Sequence, residues 1–188
     1  CECNPVAHKF LAANFPGTPN FFDACSAEFM DHAPAVDLLE GGFPCQPWSQ
    51  MGKGEGEHDK EGRGIVWFAI LRYVNRTLPR VVILENVKGL THQPHITTLL
   101  KIVKMLRAMK DAGKPAYSVF TKNLNSWKHG GVPQDRQRLY IVAIRKCGRA
   151  RVPFSWPSEA RMPSLSSIFD PGSKKLQSYN GYPLPPEG

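Results

Sequence analysis

The sequence predicts an α/β fold with a mainly parallel sheet. Three observations carry that expectation. Its 188 residues are enough for one sizeable core and short for two. Apolar runs and helix-period segments alternate in the order strand, helix, strand, helix, strand. The run Val81-Val82-Ile83-Leu84 has the unbroken β-branched character of a parallel strand covered on both faces.

Taken in order, residues 5–14 (PVAHKFLAAN) read as a short helix with proline in its first turn. Residues 20–22 form a possible strand ending at Asp23. Val36-Asp37-Leu38-Leu39 is a short apolar run before Gly41-Gly42, which suggests a buried strand. Residues 52–64 carry five glycines and many charges, the composition of a mobile loop. Residues 65–78 form a helix with apolar residues nearly all round, stopped by Pro79, and residues 80–84 the strongest strand. Residues 94–112 are an amphipathic helix. Ile96, Leu99, Leu100, Val103 and Leu106 make its apolar stripe, and Gly113 is its expected C-cap. Two further strands span 117–124 and 139–144. Seven prolines and many serines follow Val152, so residues 1–151 read as one domain and 152–188 as a linker or the start of a second domain.

Net charge is +8. Thirteen Lys and Arg fall between Lys101 and Arg151, against Asp111 and Asp135. Such a stretch suits a polyanion such as nucleic acid, or else a solvated face. No apolar run approaches the roughly 18 residues of a membrane span, and no signal peptide is present. The five cysteines are Cys1, Cys3, Cys25, Cys45 and Cys147; their odd number and irregular spacing speak against a disulfide framework and for a reducing compartment. The Cys1-x-Cys3 pair with His8 suggests zinc only weakly, because no second ligand pair follows.

Chemistry concentrates in three places. In "GGFPCQPWS", Pro44 and Pro47 fix the backbone on both sides of Cys45, which suits a nucleophile whose attack direction matters; a buried structural cysteine is the plainer alternative. Glu85-Asn86-Val87 follows the strongest strand. A carboxyl there, desolvated in a closed site, can donate a proton, or it can simply cap the next segment. In Gln134-Asp135-Arg136-Gln137-Arg138, two arginines at i and i+2 share a face if the segment is extended, with a charged turn as the alternative. Ligands of open α/β sheets bind beyond the carboxyl ends of the strands. If the strands before Cys45 and Glu85 are neighbours, their ends lie about 4.8 Å apart, and thiol and carboxyl face one pocket. Trp67, Phe68 and Tyr73 are expected in the core, Phe43 in a pocket wall, and His92, His95 and His129 at the surface or at helix ends.

Together "GGFPCQPWSQMGK", "GRG", "VVILENVKGL" and "GGVPQDRQRLYIVAIR", in this order and spacing, resemble the DNA (cytosine-5-)-methyltransferases over roughly residues 1–170. The resemblance implies a Rossmann-like class I methyltransferase sheet, incomplete at the N-terminus, and transfer of a methyl group from S-adenosylmethionine to C5 of a flipped cytosine in duplex DNA through a covalent Cys–C6 adduct. Cys45 would add to C6, Glu85 would bind N3 and N4, Arg138 would hold O2, and Arg136 would support the adduct or order its loop. Glu2, Cys3, Asp23, Ala24 and Pro44 would line the cofactor site, with Glu2 on the ribose and Asp23 on the adenine. Pro44, Gln46, Ser49, Lys53, Arg63 and Asn86 would contact substrate, several of them from a closing loop over residues 52–64. No metal and no membrane partner is implied. The compartment would be the nucleus in a eukaryote and the cytoplasm in a bacterium.

The family's first glycine-rich motif, its target-recognition domain and its last motifs are not in the sequence. Starting at Cys1 rather than Met, the chain reads as an excerpt of a longer enzyme, and alone it is expected to bind cofactor poorly. Three other readings remain at this point: a tRNA cytosine-5 methyltransferase sharing Cys45, Glu85 and Arg138; a catalytically inactive, nucleic-acid-binding partner of an active homologue; and a cysteine protease, for which no histidine base is identifiable.

Overall fold

The computed structural model describes residues 1–44, 47, 63–132, 134–146, 153–160, 178–179 and 182–183. They fall into two units. One comprises Cys1–Leu124 with Gln137–Phe154, the other Asn125–Arg136 with Ser155–Gly188. Nothing in the composition of residues 125–136 signals that this segment groups with the C-terminal part.

In the first unit, helix α1 (Pro5–Asn14) starts where Pro5 presets φ and Asn4 Oδ1 accepts from Val6 N and Ala7 N, satisfying two orphan amides. Helix α2 (Ala27–His32) is capped in the same way by Ser26. Residues 20–23 do not form the expected strand. Phe21 O accepts a single bond from Glu2 N (3.0 Å), and one bond between two extended segments does not make a ladder.

Strand β1 (Leu38–Gly42) runs parallel to β2 (Val81–Val87), with Leu38 opposite Val81 and Gly42 opposite Glu85. The sequence places β1 over residues 36–39 and buries it. Instead it begins at Leu38, continues through both glycines, and stands at the edge of the described sheet with Leu38 57% exposed. Between them, α3 (Val66–Thr77) makes the crossover and turns its Trp67, Leu71, Tyr73 and Val74 inward. Leu78 closes α3 in the left-handed conformation (φ 46°) just before Pro79. Phe68, on the other side of α3, is exposed rather than in the core.

Helix α4 (Ile96–Ala108) is shorter than its sequence pattern suggests. The chain then forms a hairpin, β3 (Lys110–Asp111) and β4 (Lys114–Pro115), around Ala112 and Gly113. Gly113 therefore serves a turn with two successive positive φ values, not a helix cap. The inward stripe of α4 includes Ile102, fully buried, whereas Leu100 is exposed. Leu99, Ile102, Val103 and Leu106 follow the i, i+3, i+4, i+7 spacing of one helix face.

Strands β5 (Tyr117–Asn125) and β6 (Gln137–Arg145) complete the main sheet in the order β1-β2-β6-β5. β6 is antiparallel to β2, so the sheet is mixed rather than mainly parallel. Residues 126–136 link β5 to β6. β2 alternates between fully buried Val82, Leu84 and Asn86 and half-buried neighbours, so its two faces are not equally covered. The core joins Val82 and Leu84 to Leu71, Val74, Leu90, Ile102, Leu106, Tyr117, Leu139 and Ile141. Arg145 ties elements outside it, donating to Asp111 Oδ2 and to Leu78 O at 2.9 Å each.

In the second unit, α5 (Ser126–His129) is capped by Asn125, and the loop behind it is closed by bonds from Asn125 Nδ2 to Asp135 Oδ1 (2.6 Å) and from Ser126 N to Arg136 O (3.0 Å). Two short strands, β7 (Ser178–Tyr179) and β8 (Tyr182–Pro183), pair as a hairpin. Among the described residues, no helix is long and apolar enough to cross a membrane, and no group of three His, Cys, Asp or Glu is placed to hold a metal ion.

Candidate active site

The carboxyl ends of β1 and β2 are neighbours, and the amino end of β6 joins them. Gly42, Glu85 and Tyr140 stand opposite one another across the three strands. Glu85 is not beyond its strand, as the sequence suggests; it sits inside β2, held in register on both sides. Because strand residues alternate between faces, Glu85 and Arg138, which pairs with Val87, project to the same side. They meet there: Arg138 Nε lies 2.9 Å from Glu85 Oε1, with both side chains partly exposed. Arg138 Nη1 also donates to Gln137 O at 2.8 Å, which fixes the guanidinium plane.

Gly42 leaves room beside this pair. A Cβ placed on it would stand 3.4 Å from Glu85 Oε2. Three residues further along the sequence comes Cys45. Cys45, Gln46, Ser49 and Lys53 lie outside the described residues, as does all of the 52–64 loop except Arg63 and Gly64. Arg63 starts a 3-10 turn (Arg63–Ile65) leading into α3. Phe43 and Pro44, which lead to Cys45, are described, and Phe43 is buried in the hydrophobic core.

Asn86 faces the other way from Glu85. It is 1% exposed, and both ends of its amide are engaged within the chain: Nδ2 donates to Phe43 O (3.0 Å) and Oδ1 accepts from Val87 N (2.9 Å). The sequence names Asn86 only through the Glu85-Asn86-Val87 motif and gives no sign of this link to residue 43. Arg136 belongs to the second unit, exposed in the loop pinned by Asn125 and Ser126.

Of the residues expected at a cofactor site, Glu2 and Cys3 lie on a segment joined by the bond from Glu2 N to Phe21 O to the one that carries Asp23 and Ala24, whereas Pro44 follows β1. Each carboxylate has one oxygen engaged by a nearby amide: Glu2 Oε1 accepts from Asn4 N, and Asp23 Oδ1 from Cys25 N, both at 2.8 Å. A carboxylate has four lone-pair sites, so both can accept further donors. Cys3 is exposed beside Glu2, and Ala24 follows Asp23. Burial, and then the charge and hydrogen bonding of Asp23, push the Cys25 thiol above its ordinary pKa.

The basic stretch is partly spent inside the fold: Arg107 donates to Val119 O, Arg138 pairs with Glu85, and Arg145 with Asp111. Lys101, Lys104 and Lys110 are exposed.

The family model of the C-5 cytosine-specific DNA methylases matches residues 1–181. The chain belongs to that family. It is 45% identical over 145 residues to the type II methyltransferase M.HgiBI of Herpetosiphon aurantiacus, covering 77% of this chain and 31% of that protein. With M.HpaII of Haemophilus parainfluenzae it shares 37% over 146 residues, 77% of this chain and 38% of that one. The chain thus spans about a third of the length of these curated relatives. A DNMT2 mutant of Spodoptera frugiperda superposes with a TM-score of 0.61 at 22% identity, over 90% of this chain and 50% of that one, which supports the class I methyltransferase fold.

Proposed function

We propose that this chain carries the cytosine-binding half of a DNA (cytosine-5-)-methyltransferase site, using S-adenosylmethionine as methyl donor. The observation that carries this reading is the meeting of Gly42, Glu85 and Arg138 at one end of the sheet, with Cys45 three residues beyond Gly42. The match to the family of C-5 cytosine-specific DNA methylases supports DNA as the substrate.

Cytosine C5 is a poor nucleophile. Addition of the Cys45 thiolate to C6 turns C4–C5–C6 into an enamine-like unit with electron density at C5. Glu85 binds N3 and the exocyclic amine, delivering a proton to N3 as the adduct forms. Arg138 keeps the Glu85 carboxyl oriented and reaches O2 of the ring from the same face. Gly42, next to Glu85 across the strands, brings no side chain of its own toward that carboxyl, which suits the approach of a planar base. When bound, S-adenosylmethionine supplies the electrophilic methyl sulfonium that C5 needs. Glu2 and Asp23 would hold it, because its ribose hydroxyls and adenine amine are donors that suit these carboxylates. Loss of the C5 proton and departure of the thiolate restore the ring. The target atom is unreachable in a stacked duplex, so the base must be flipped out. Ser49, Lys53 and Arg63 are proposed phosphate contacts, and Gln46 and Pro44 contacts to the base.

Incubation of the full-length enzyme with radiolabelled S-adenosylmethionine and either duplex DNA or tRNA tests the reading. Label in cytosine of duplex DNA, lost in Cys45→Ser, is expected. Label in tRNA alone would assign the activity to RNA, and label in neither would favour a non-catalytic partner.

A further inference from the structure

We propose that Asn86 is a positioning residue, whose amide holds the Phe43–Pro44 segment against the end of β2 and so sets the point from which the chain runs on to Cys45. The inference rests on the reading above and adds a residue to the same site.

The β1–β2 ladder ends at the pair Gly42–Glu85. The residue after β1 is Phe43, and the next of β2 is Asn86. Past the last rung, Phe43 O has no ladder donor, and Pro44 has no N–H to offer nearby. Phe43 is 3% exposed, so water is a poor substitute. Asn86 Nδ2 takes that place at 3.0 Å. The same side chain, through Oδ1, caps Val87 N at 2.9 Å and so holds the end of the strand that carries Glu85. One amide therefore couples the approach to the thiol with the segment bearing the acid. Being 1% exposed and on the face opposite Glu85, Asn86 acts from behind the site rather than on the base. A leucine or aspartate of similar size would fill the space, but neither can both donate to Phe43 O and accept from Val87 N while ionised or apolar.

The test uses Asn86→Asp and Asn86→Ser in the full-length enzyme. Asn86→Asp keeps the shape and the acceptor, and sets an acceptor against Phe43 O. Lowering the pH protonates the new carboxyl and restores a donor, and thermal melting at both pH values separates recovery of rate from recovery of folding. At about pH 8, Asn86→Asp is expected to lower kcat by about tenfold or more, since misplaced reacting groups lose effective molarity. Its Kd for duplex DNA should stay within about twofold, and its kcat relative to wild type should recover at about pH 6. Asn86→Ser should lose kcat without pH rescue.

A second readout is iodoacetamide alkylation of Cys45 in a background where Cys1, Cys3, Cys25 and Cys147 are serine. Both variants should change its rate by about threefold or more while circular dichroism shows the same fold. An unchanged alkylation rate, or a loss confined to DNA affinity, overturns the inference. If wild type transfers no methyl group, the functional reading fails; the alkylation result then still decides for or against Asn86.

Discussion

Arg138 Nε stands 2.9 Å from Glu85 Oε1, on adjacent antiparallel strands and two positions off the direct rung. Diagonal neighbours of a sheet are within reach of long side chains, so the contact follows from register alone. It ties the acid at the carboxyl end of β2 to the first turn of chain in β6.

Glu85→Gln should therefore lower the methyl-transfer rate by about 10²- to 10⁴-fold while DNA affinity changes little, as expected for loss of a proton donor. Filter binding alongside single-turnover kinetics separates the two. Combining it with Arg138→Gln should cost less than the sum of the single losses, because the two side chains are in direct contact. Additive losses would mean that Arg138 acts independently of Glu85.

Gly42→Ala should trade activity for stability. A β-carbon there touches Glu85 Oε2 at 3.4 Å and narrows the approach to the carboxyl. Replacing a strand glycine whose conformation alanine can adopt stabilises by roughly 0.4–1 kcal/mol. Thermal melting should show no loss, whereas methyl transfer falls by about tenfold.

Leu84→Ala probes the core beneath the site. Leu84 is fully buried in β2 against the helices. Truncation should cost about 2–5 kcal/mol, measured by urea denaturation.

Much of this arrangement is legible in the sequence where a single local rule decides. Pro5 and Pro79 mark the start of α1 and the stop of α3, and the 3.6-residue period finds α4. What escapes depends on partners distant in sequence. β2 runs on through Glu85 and Asn86 because Gly42 and Tyr140 pair with Glu85; polar side chains alone would end it at Leu84. The antiparallel direction of β6 against β2 has no signature in its own apolar residues. Ile102 and Leu100 are equally apolar, and only the position of the sheet makes one core and the other surface. The bond from Asn86 to Phe43 spans 43 residues and has no local signature.

Ala112 and Gly113, at the tip of the β3–β4 hairpin, both have positive φ (47° and 77°). Ala112→Gly should stabilise by about 1 kcal/mol and Gly113→Ala destabilise by a similar amount, since the left-handed conformation costs a non-glycine residue that much. Opposite shifts in denaturation midpoint are the expected result.

Cys25 should react slowly with iodoacetamide at neutral pH compared with a reference thiol peptide, because its raised pKa leaves little thiolate. Asp23→Asn should speed the reaction only in part, since burial is the larger cause and remains. Full recovery would assign the shift to Asp23 alone.

The most direct measurement is incubation with duplex DNA containing 5-fluorocytosine and S-adenosylmethionine, followed by peptide mapping. Fluorine at C5 cannot leave as a proton does, so an adduct formed during turnover persists. A single covalent product attached through Cys45, and lost in Cys45→Ser, is expected. No adduct, or one attached through another cysteine, would contradict the joint placement of thiol and acid on one extruded base.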